Sequence, residues 1–191
     1  MPKLDLIASE KLSPALKDTI ESAPLPGLED APKCPDTRAA IERLLNERSA
    51  EFSPPSPSAA AGLWLLAGEL DLSHDISQTL ESPTGSYWHG IMHRRERDFN
   101  NAKYWMRRAA GHPVIEELAN HIDNVAGQDA LAWFNSNSGH KVVGHGLTDS
   151  DSLATNLVDL CQQMVGSQPK VVSELQLIFW WEWQLLFRYG M

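Results

Sequence analysis

The residues best able to do chemistry are concentrated between positions 87 and 113, in the string YWHGIMHRRERDFNNAKYWMRRAAGHP. His89 and His93 stand four residues apart, and Glu96 follows three residues after the second histidine. In a helix these spacings place the three side chains on neighbouring parts of one side. Two imidazoles and a carboxylate so placed can share one divalent transition metal ion. The pattern predicts a metal site at His89, His93 and Glu96, with a fourth ligand from His74, His112 or a nearby acid.

The same three residues also have a purely structural interpretation. Histidine and glutamate side chains among arginines often make only charged hydrogen bonds that hold helices together. The sequence lacks the HExxH motif of metalloproteases, and it lacks the Glu-x-x-His order of ferritin-like metal sites. Whether the protein is an enzyme therefore stays open on the sequence alone.

Arginines are a second feature of this stretch. Six basic residues and two acids lie between positions 94 and 108, in a chain whose net charge is -9. Guanidinium groups bind carboxylates and phosphates through two parallel hydrogen bonds. This basic island predicts a binding site for a small anionic ligand or an acidic protein partner, formed by Arg94, Arg95, Tyr104, Arg108 and His112. In the alternative interpretation the island pairs with acids of the same chain, and Arg94 is spaced to pair with Asp98.

Two helices are predicted to carry these residues. The first covers residues 86–97, and Asp98 is expected to cap a second helix over residues 99–110. Gly111 and Pro113 end that second helix, the glycine as a C-cap and the proline because it cannot continue the hydrogen-bond ladder. The stretch is therefore predicted to be an antiparallel helical hairpin.

This hairpin resembles a tetratricopeptide-type repeat unit. Gly90, Ala102, Met106 and Pro113 stand close to the places of the small, bulky and closing residues of such a unit, and His93 stands where an aromatic residue is usual. Weaker echoes occur at residues 62–83 and 114–134. The resemblance implies a helical scaffold and no activity. The chain as a whole also resembles an uncharacterised family of microbial proteins, which implies no function either.

The rest of the chain is also predicted to be helical. Residues 1–35 are rich in proline and are expected to be partly irregular, whereas residues 36–191 are predicted to form a single all-α domain. Residues 135–147 lack a helical period and are predicted to be a loop. The remaining predicted helices cover residues 9–22, 38–52, 59–70, 74–80, 114–125, 150–165 and 170–189. The last of them carries Trp180, Trp181 and Trp183, which suit either the core or a homodimer interface.

Composition excludes several classes of protein. The negative net charge argues against a general nucleic-acid binder, because phosphate binding needs a basic face. The motifs GxSxG, GxxxxGKS/T, GxGxxG and CxxC are missing. Cys34 and Cys161 stand far apart and fit a reducing compartment. No signal peptide or membrane-spanning run is visible, so we expect a cytoplasmic protein.

Two functions are consistent with these observations. The leading one is a non-enzymatic protein that binds a protein partner or a small anion through the polar face of residues 87–113. The alternative is a metal-dependent enzyme in which His89, His93 and Glu96 hold a divalent transition metal ion.

Overall fold

Nine α-helices and no strand are found in the residues that this computed structural model describes, namely 4–25, 27–28, 33–47, 55–125, 150–164 and 169–191. The predicted all-α class is confirmed. The predicted loop at residues 135–147 lies outside the described residues. A 3-10 turn, Ser9–Lys11, precedes the helices α1 Pro14–Ser22, α2 Pro35–Asn46, α3 Pro57–Leu66, α4 Leu70–Ser77, α5 Pro83–Arg95, α6 Phe99–Arg108, α7 Pro113–Val125, α8 Ser150–Met164 and α9 Pro169–Gly190. In these ranges no helix has the length and apolarity needed to cross a membrane.

Most of the helices begin at a proline. A proline is the first residue of six helices, namely α1, α2, α3, α5, α7 and α9. The backbone N–H at this position has no partner within the helix, so proline, which lacks an N–H, loses no hydrogen bond there. Serine caps three of these helices, because Ser13, Ser56 and Ser82 each accept a hydrogen bond from the backbone N–H three residues later. Asp98 caps α6 in the same way, as predicted.

Three predicted boundaries near the histidines are wrong. Helix α5 begins at Pro83 rather than at residue 86, since Ser82 and Pro83 supply its cap and its first residue. The predicted helix over residues 59–70 ends at Leu66, because Gly68 turns the chain in the left-handed conformation with φ 72°. Helix α4 therefore begins at Leu70 rather than at residue 74, and Ser73 lies buried inside it. This earlier start of α4 is what places His74 within a helix that packs against α5.

Helix α5 occupies the centre of the structure, between α3, α4 and α6. Close approach to its neighbours depends on two glycines. A Cβ atom at Gly62 would lie 2.7 Å from the ring of Trp88, and one at Gly90 would lie 3.0 Å from the sulfur of Met106. The second contact agrees with the small-against-bulky packing that the tetratricopeptide resemblance implies, while the resemblance itself stays a prediction.

Helix α9 closes the core with a column of aromatic rings. Trp180 stacks on Trp183, and Trp183 stacks on Phe187 at ring-centre distances of 5.2 and 4.7 Å. The indole N–H of Trp183 donates to the carbonyl of Gly62 at 2.8 Å. All three tryptophans of this helix are buried by their own chain. The predicted role in the core agrees with this burial, whereas a homodimer through this helix would have to use its exposed residues, such as Leu177 and Tyr189.

Residues near the start of the described chain are hydrogen-bonded to helix α9. The backbone N–H groups of Asp5 and Leu6 both donate to the side-chain oxygen of Gln184 at 3.1 Å. The Asp5 carboxylate accepts in return from the amide of Gln184 and from the indole of Trp181. The described part of the proline-rich segment thus packs on the helices that follow it, and Ile7, Leu12, Leu16 and Ile20 are buried in the common core.

Candidate metal centre

Three histidines from two helices lie side by side. His74 comes from α4, and His89 and His93 come from α5. One ring nitrogen of each lies within 4.8 Å of the chosen nitrogens of the other two. Nitrogens bound to one zinc ion lie about 3.3 Å apart, given Zn–N bonds of about 2.0–2.1 Å. The three nitrogens would therefore have to approach one another by side-chain rotation to bind one ion.

The rings are arranged as a column with one ring at its side. His89 is stacked between the ring of His93 and the ring of Trp105, at centre distances of 4.7 and 4.0 Å. His74 meets His89 and His93 edge-on, at 4.7 and 5.5 Å. His89 and His93 are buried, and His74 is partly exposed. The cluster therefore opens to solvent on the side of His74.

His89 is the least satisfied polar side chain of the cluster. It is 3% exposed, and neither of its ring nitrogens has a hydrogen-bond partner. Burial, and then the neighbouring His93 and His74, lower the pKa of His89 from 6.5 to about 4. The ring is therefore neutral at pH 7 and carries a free lone pair, which is the form of histidine that binds metals. An unpaired buried polar group costs about 1–3 kcal/mol, and a bound ion would give a partner to the nitrogen that carries the lone pair.

His93 differs from His89 because both of its nitrogens have partners. Its Nδ1 atom lies 3.1 Å from a carboxylate oxygen of Glu96, and the amide nitrogen of Asn101 lies 3.0 Å from Nε2 and 3.5 Å from Nδ1. Burial lowers the pKa of His93, and the nearby Glu96 carboxylate opposes that effect. A carboxylate behind a histidine is the usual outer partner of a metal-binding imidazole, since it fixes the ring orientation and raises the basicity of the other nitrogen.

The buried histidines make a prediction about acid stability. His89 is neutral in the folded state down to a pKa of about 4, whereas in the unfolded chain it takes up a proton near pH 6.5. The unfolded state therefore binds more protons between these values, and the metal-free protein should lose stability as the pH falls from about 6.5 towards 4. The difference between the two pKa values of His89 corresponds to a loss of stability of at most about 3 kcal/mol. Water that enters past His74 should reduce this loss.

Urea unfolding of chelator-treated protein at pH 7.5, 6 and 5 measures this loss. The variant His89→Phe keeps a flat ring between His93 and Trp105 but cannot titrate, so its stability should depend less on pH. An equally steep dependence in this variant would show that His89 contributes nothing to the acid sensitivity.

Glu96, the carboxylate predicted as a metal ligand, lies beside the histidine cluster rather than in it. It bonds to His93, and its side chain is 37% exposed. The group of possible ligands that the described residues bring together consists of His74, His89 and His93, with Glu96 behind His93. His74 thus occupies the place that the sequence pattern gives to the carboxylate.

The two arginines predicted to bind an anion are buried and engaged with the protein. Arg94 is 2% exposed and forms an ion pair with Glu182 of α9, which is itself fully buried. The Arg94 guanidinium also lies 3.8 Å from the ring centre of Phe179. Arg95 donates to the backbone carbonyl of Leu65. Arg94 therefore pairs with Glu182 instead of with Asp98, and neither guanidinium faces solvent.

The other predicted anion-binding residues lie apart from these arginines. Nδ1 of the buried His112 accepts from the backbone N–H of Val114, and its Nε2 atom lies 3.1 Å from the hydroxyl of Thr84. Tyr104 is 47% exposed on α6, and the guanidinium carbon of Arg108 lies 5.9 Å from its ring centre. Lys103, on the same helix, pairs with Asp159 of α8. Of the five residues predicted to bind an anion, only Tyr104 and Arg108 are exposed.

Two residues at the centre of this arrangement were not predicted from the sequence. Trp105 of α6 stacks on His89 of α5. The spacing of residues along the sequence does not indicate this contact between two helices. Glu182 is the single acid in the apolar run 175–187, and a lone charge in such a run needs a buried partner, which is a signal that could have been used.

No protein family, curated protein or solved structure matches this chain.

Proposed function

We propose that this protein binds one transition metal ion through His74, His89 and His93. The observation that carries the proposal is the unpaired state of both nitrogens of the buried His89, in a cluster where two further imidazoles stand within reach. Imidazole ligands favour zinc, copper, nickel and iron over magnesium and calcium, which prefer oxygen ligands. Zinc is therefore the first ion to test.

The helix arrangement brings the three histidines together. His89 and His93 lie four residues apart on α5, and His74 lies on α4, which packs against α5. The Glu96 carboxylate already bonds to His93, as in metal sites where an outer carboxylate orients a ligand. An ion bound here would link α4 to α5 and should raise the melting temperature, because it binds only the folded state.

Three protein ligands leave at least one coordination position for water or another small molecule. Catalytic zinc sites have this composition, whereas structural zinc sites have four protein ligands. The partial exposure of His74 gives small molecules a route to this position. A metal-dependent enzyme that activates a bound water is thus the catalytic version of the same proposal.

A second candidate function uses the outer face of α6. Tyr104 is exposed, with Arg108 against its ring and the exposed Arg107 nearby. An aromatic ring beside guanidinium groups favours an acidic protein partner or a small anion. Arg94 and Arg95 are used inside the protein, so this candidate rests on Tyr104, Arg107 and Arg108.

Metal content of the protein tests the first proposal. Protein purified without an affinity-tag metal, and then titrated with Zn²⁺ or Co²⁺ after chelator treatment, should bind one ion per chain. The variant His89→Ala should lose this binding. His121→Ala is the matched control, since His121 is also a histidine with an unpaired buried nitrogen but lies on α7 against Trp181. A protein that binds no ion, or an equal affinity in both variants, would contradict the proposal.

A further inference from the structure

The rings of His89 and His93 are stacked in an orientation that keeps them from binding one ion. The lone pair of an imidazole nitrogen lies in the plane of its ring, so an ion must lie in the plane of each ring that binds it. The two planes are only 18° from parallel, and the ring centres are 4.7 Å apart. Planes so nearly parallel do not meet within about 2.0–2.1 Å of both nitrogens, the length of a Zn–N bond. One of the two rings must therefore turn before both can bind the same ion.

His89 is the ring that can turn without breaking a hydrogen bond. Neither of its nitrogens has a partner. His93, in contrast, has its Nδ1 atom 3.1 Å from the carboxylate of Glu96, and a turn of this ring would break that bond. A metal-binding imidazole usually keeps such an outer carboxylate. His93 therefore stays in place, and His89 is the ring that reorients.

Trp105 holds His89 in the stacked orientation. The indole lies face to face with His89, with ring centres 4.0 Å apart and planes 16° apart. A turn of His89 about its Cβ–Cγ bond would drive one edge of the imidazole into the indole, because the two rings are already in contact. Trp105 lies on α6 and is partly exposed, so its side chain can move outwards. His89 can thus turn only when Trp105 leaves its face.

We propose that a metal ion binds by unstacking His89 from Trp105, and that this stack lowers the affinity of the site for the ion. This inference rests on the proposed function and adds its regulation. The stacked column is the metal-free state. In the metal-bound state His89 has turned until its plane meets that of His93, and the indole has moved outwards. The affinity is lowered because only the unstacked fraction of the protein can bind.

The fluorescence of Trp105 tests the movement. Zn²⁺ has no redox chemistry, so a change in emission on its addition reports a change in the surroundings of an indole. Addition of Zn²⁺ should change the emission of the wild type and should change that of Trp105→Phe much less. An equal change in both proteins would show that the signal comes from other tryptophans.

The affinity for Zn²⁺ tests the effect of the stack. Trp105→Leu removes the stacked ring and keeps an apolar side chain, so it should bind Zn²⁺ about three- to tenfold more tightly than the wild type, the change that corresponds to one aromatic pair. Trp105→Phe is the matched control, because it keeps a flat ring at this position and should bind with nearly the affinity of the wild type. Circular dichroism checks that each variant is folded.

The outcomes separate this inference from the proposed function. If the wild type binds no zinc, the proposed function fails and this inference falls with it. If the wild type binds zinc but the emission of Trp105 does not change, or Trp105→Leu binds with the affinity of the wild type, only the unstacking is disproved. Weaker binding by folded Trp105→Leu would also disprove it, because the stack would then be holding His89 in the orientation that binds the ion.

Discussion

Replacing Arg94 by methionine should lower the free energy of unfolding by about 3–5 kcal/mol, the cost of leaving one member of a buried ion pair without its partner. Glu182 is fully buried, and its carboxylate accepts from Arg94 and, at 3.1 Å, from the hydroxyl of Tyr87. Without the arginine the carboxylate would keep only the tyrosine. Urea unfolding at neutral pH measures the loss.

A double variant separates the loss of the partner from the loss of the pair. Arg94→Met with Glu182→Leu removes both charges, so its stability should recover most of the loss and approach that of the wild type. Lys17→Met is the surface control, because Lys17 faces Glu21 across α1 at 4.0 Å with both side chains partly exposed. This change should cost less than about 1 kcal/mol. Equal losses from Arg94→Met and Lys17→Met would show that the buried pair contributes no more than a surface pair.

This ion pair bears on the prediction that Arg94 and Arg95 bind an anion. Arg94 and Arg95 belong to a visible basic island, and in an isolated helix they look available to a ligand. Their partners come from distant parts of the chain, Glu182 from α9 and the carbonyl of Leu65 from α3. Sequence spacing reports neighbours along one helix, and it carries no information about which helix covers that face.

Local signals predicted the fold class and most of the helices. Asp98 caps α6 where the sequence places it, and Pro113 begins α7. The error at Gly68 has a physical reason as well. The run of apolar residues from Ala59 onward continues a helical pattern, while the turn depends on a glycine in the left-handed conformation.

The sequence predicted those contacts of the candidate site that lie within one helix. His89 and His93 stack because residues four apart share a helix side, and Glu96 reaches His93 because it follows three residues later. These contacts are local. The contributions of His74 and Trp105 depend on how α4 and α6 pack against α5, which the spacing does not specify.

The structure and the sequence pattern disagree about one ligand, and the difference can be measured. The sequence pattern takes Glu96 as the third ligand, whereas the structure places His74 within reach and Glu96 behind His93. Structural zinc sites with four ligands bind with about 10–16 kcal/mol, or about 3 kcal/mol for each ligand. His74→Ala should therefore weaken zinc binding by about 100-fold or more. Competition with a chromogenic chelator measures the affinity.

Glu96→Gln should have a smaller effect on the same affinity. The amide oxygen of glutamine can still accept from Nδ1 of His93, so only the negative charge behind the ring is lost. Changes of outer partners cost about 10–100-fold in metal affinity, and we expect the lower end of that range. Asp75→Asn is the matched control, because it removes an exposed acid next to His74 and should change the affinity little. A larger loss in Glu96→Gln than in His74→Ala would establish His89, His93 and Glu96 as the ligands, since only a direct ligand should have the greater effect.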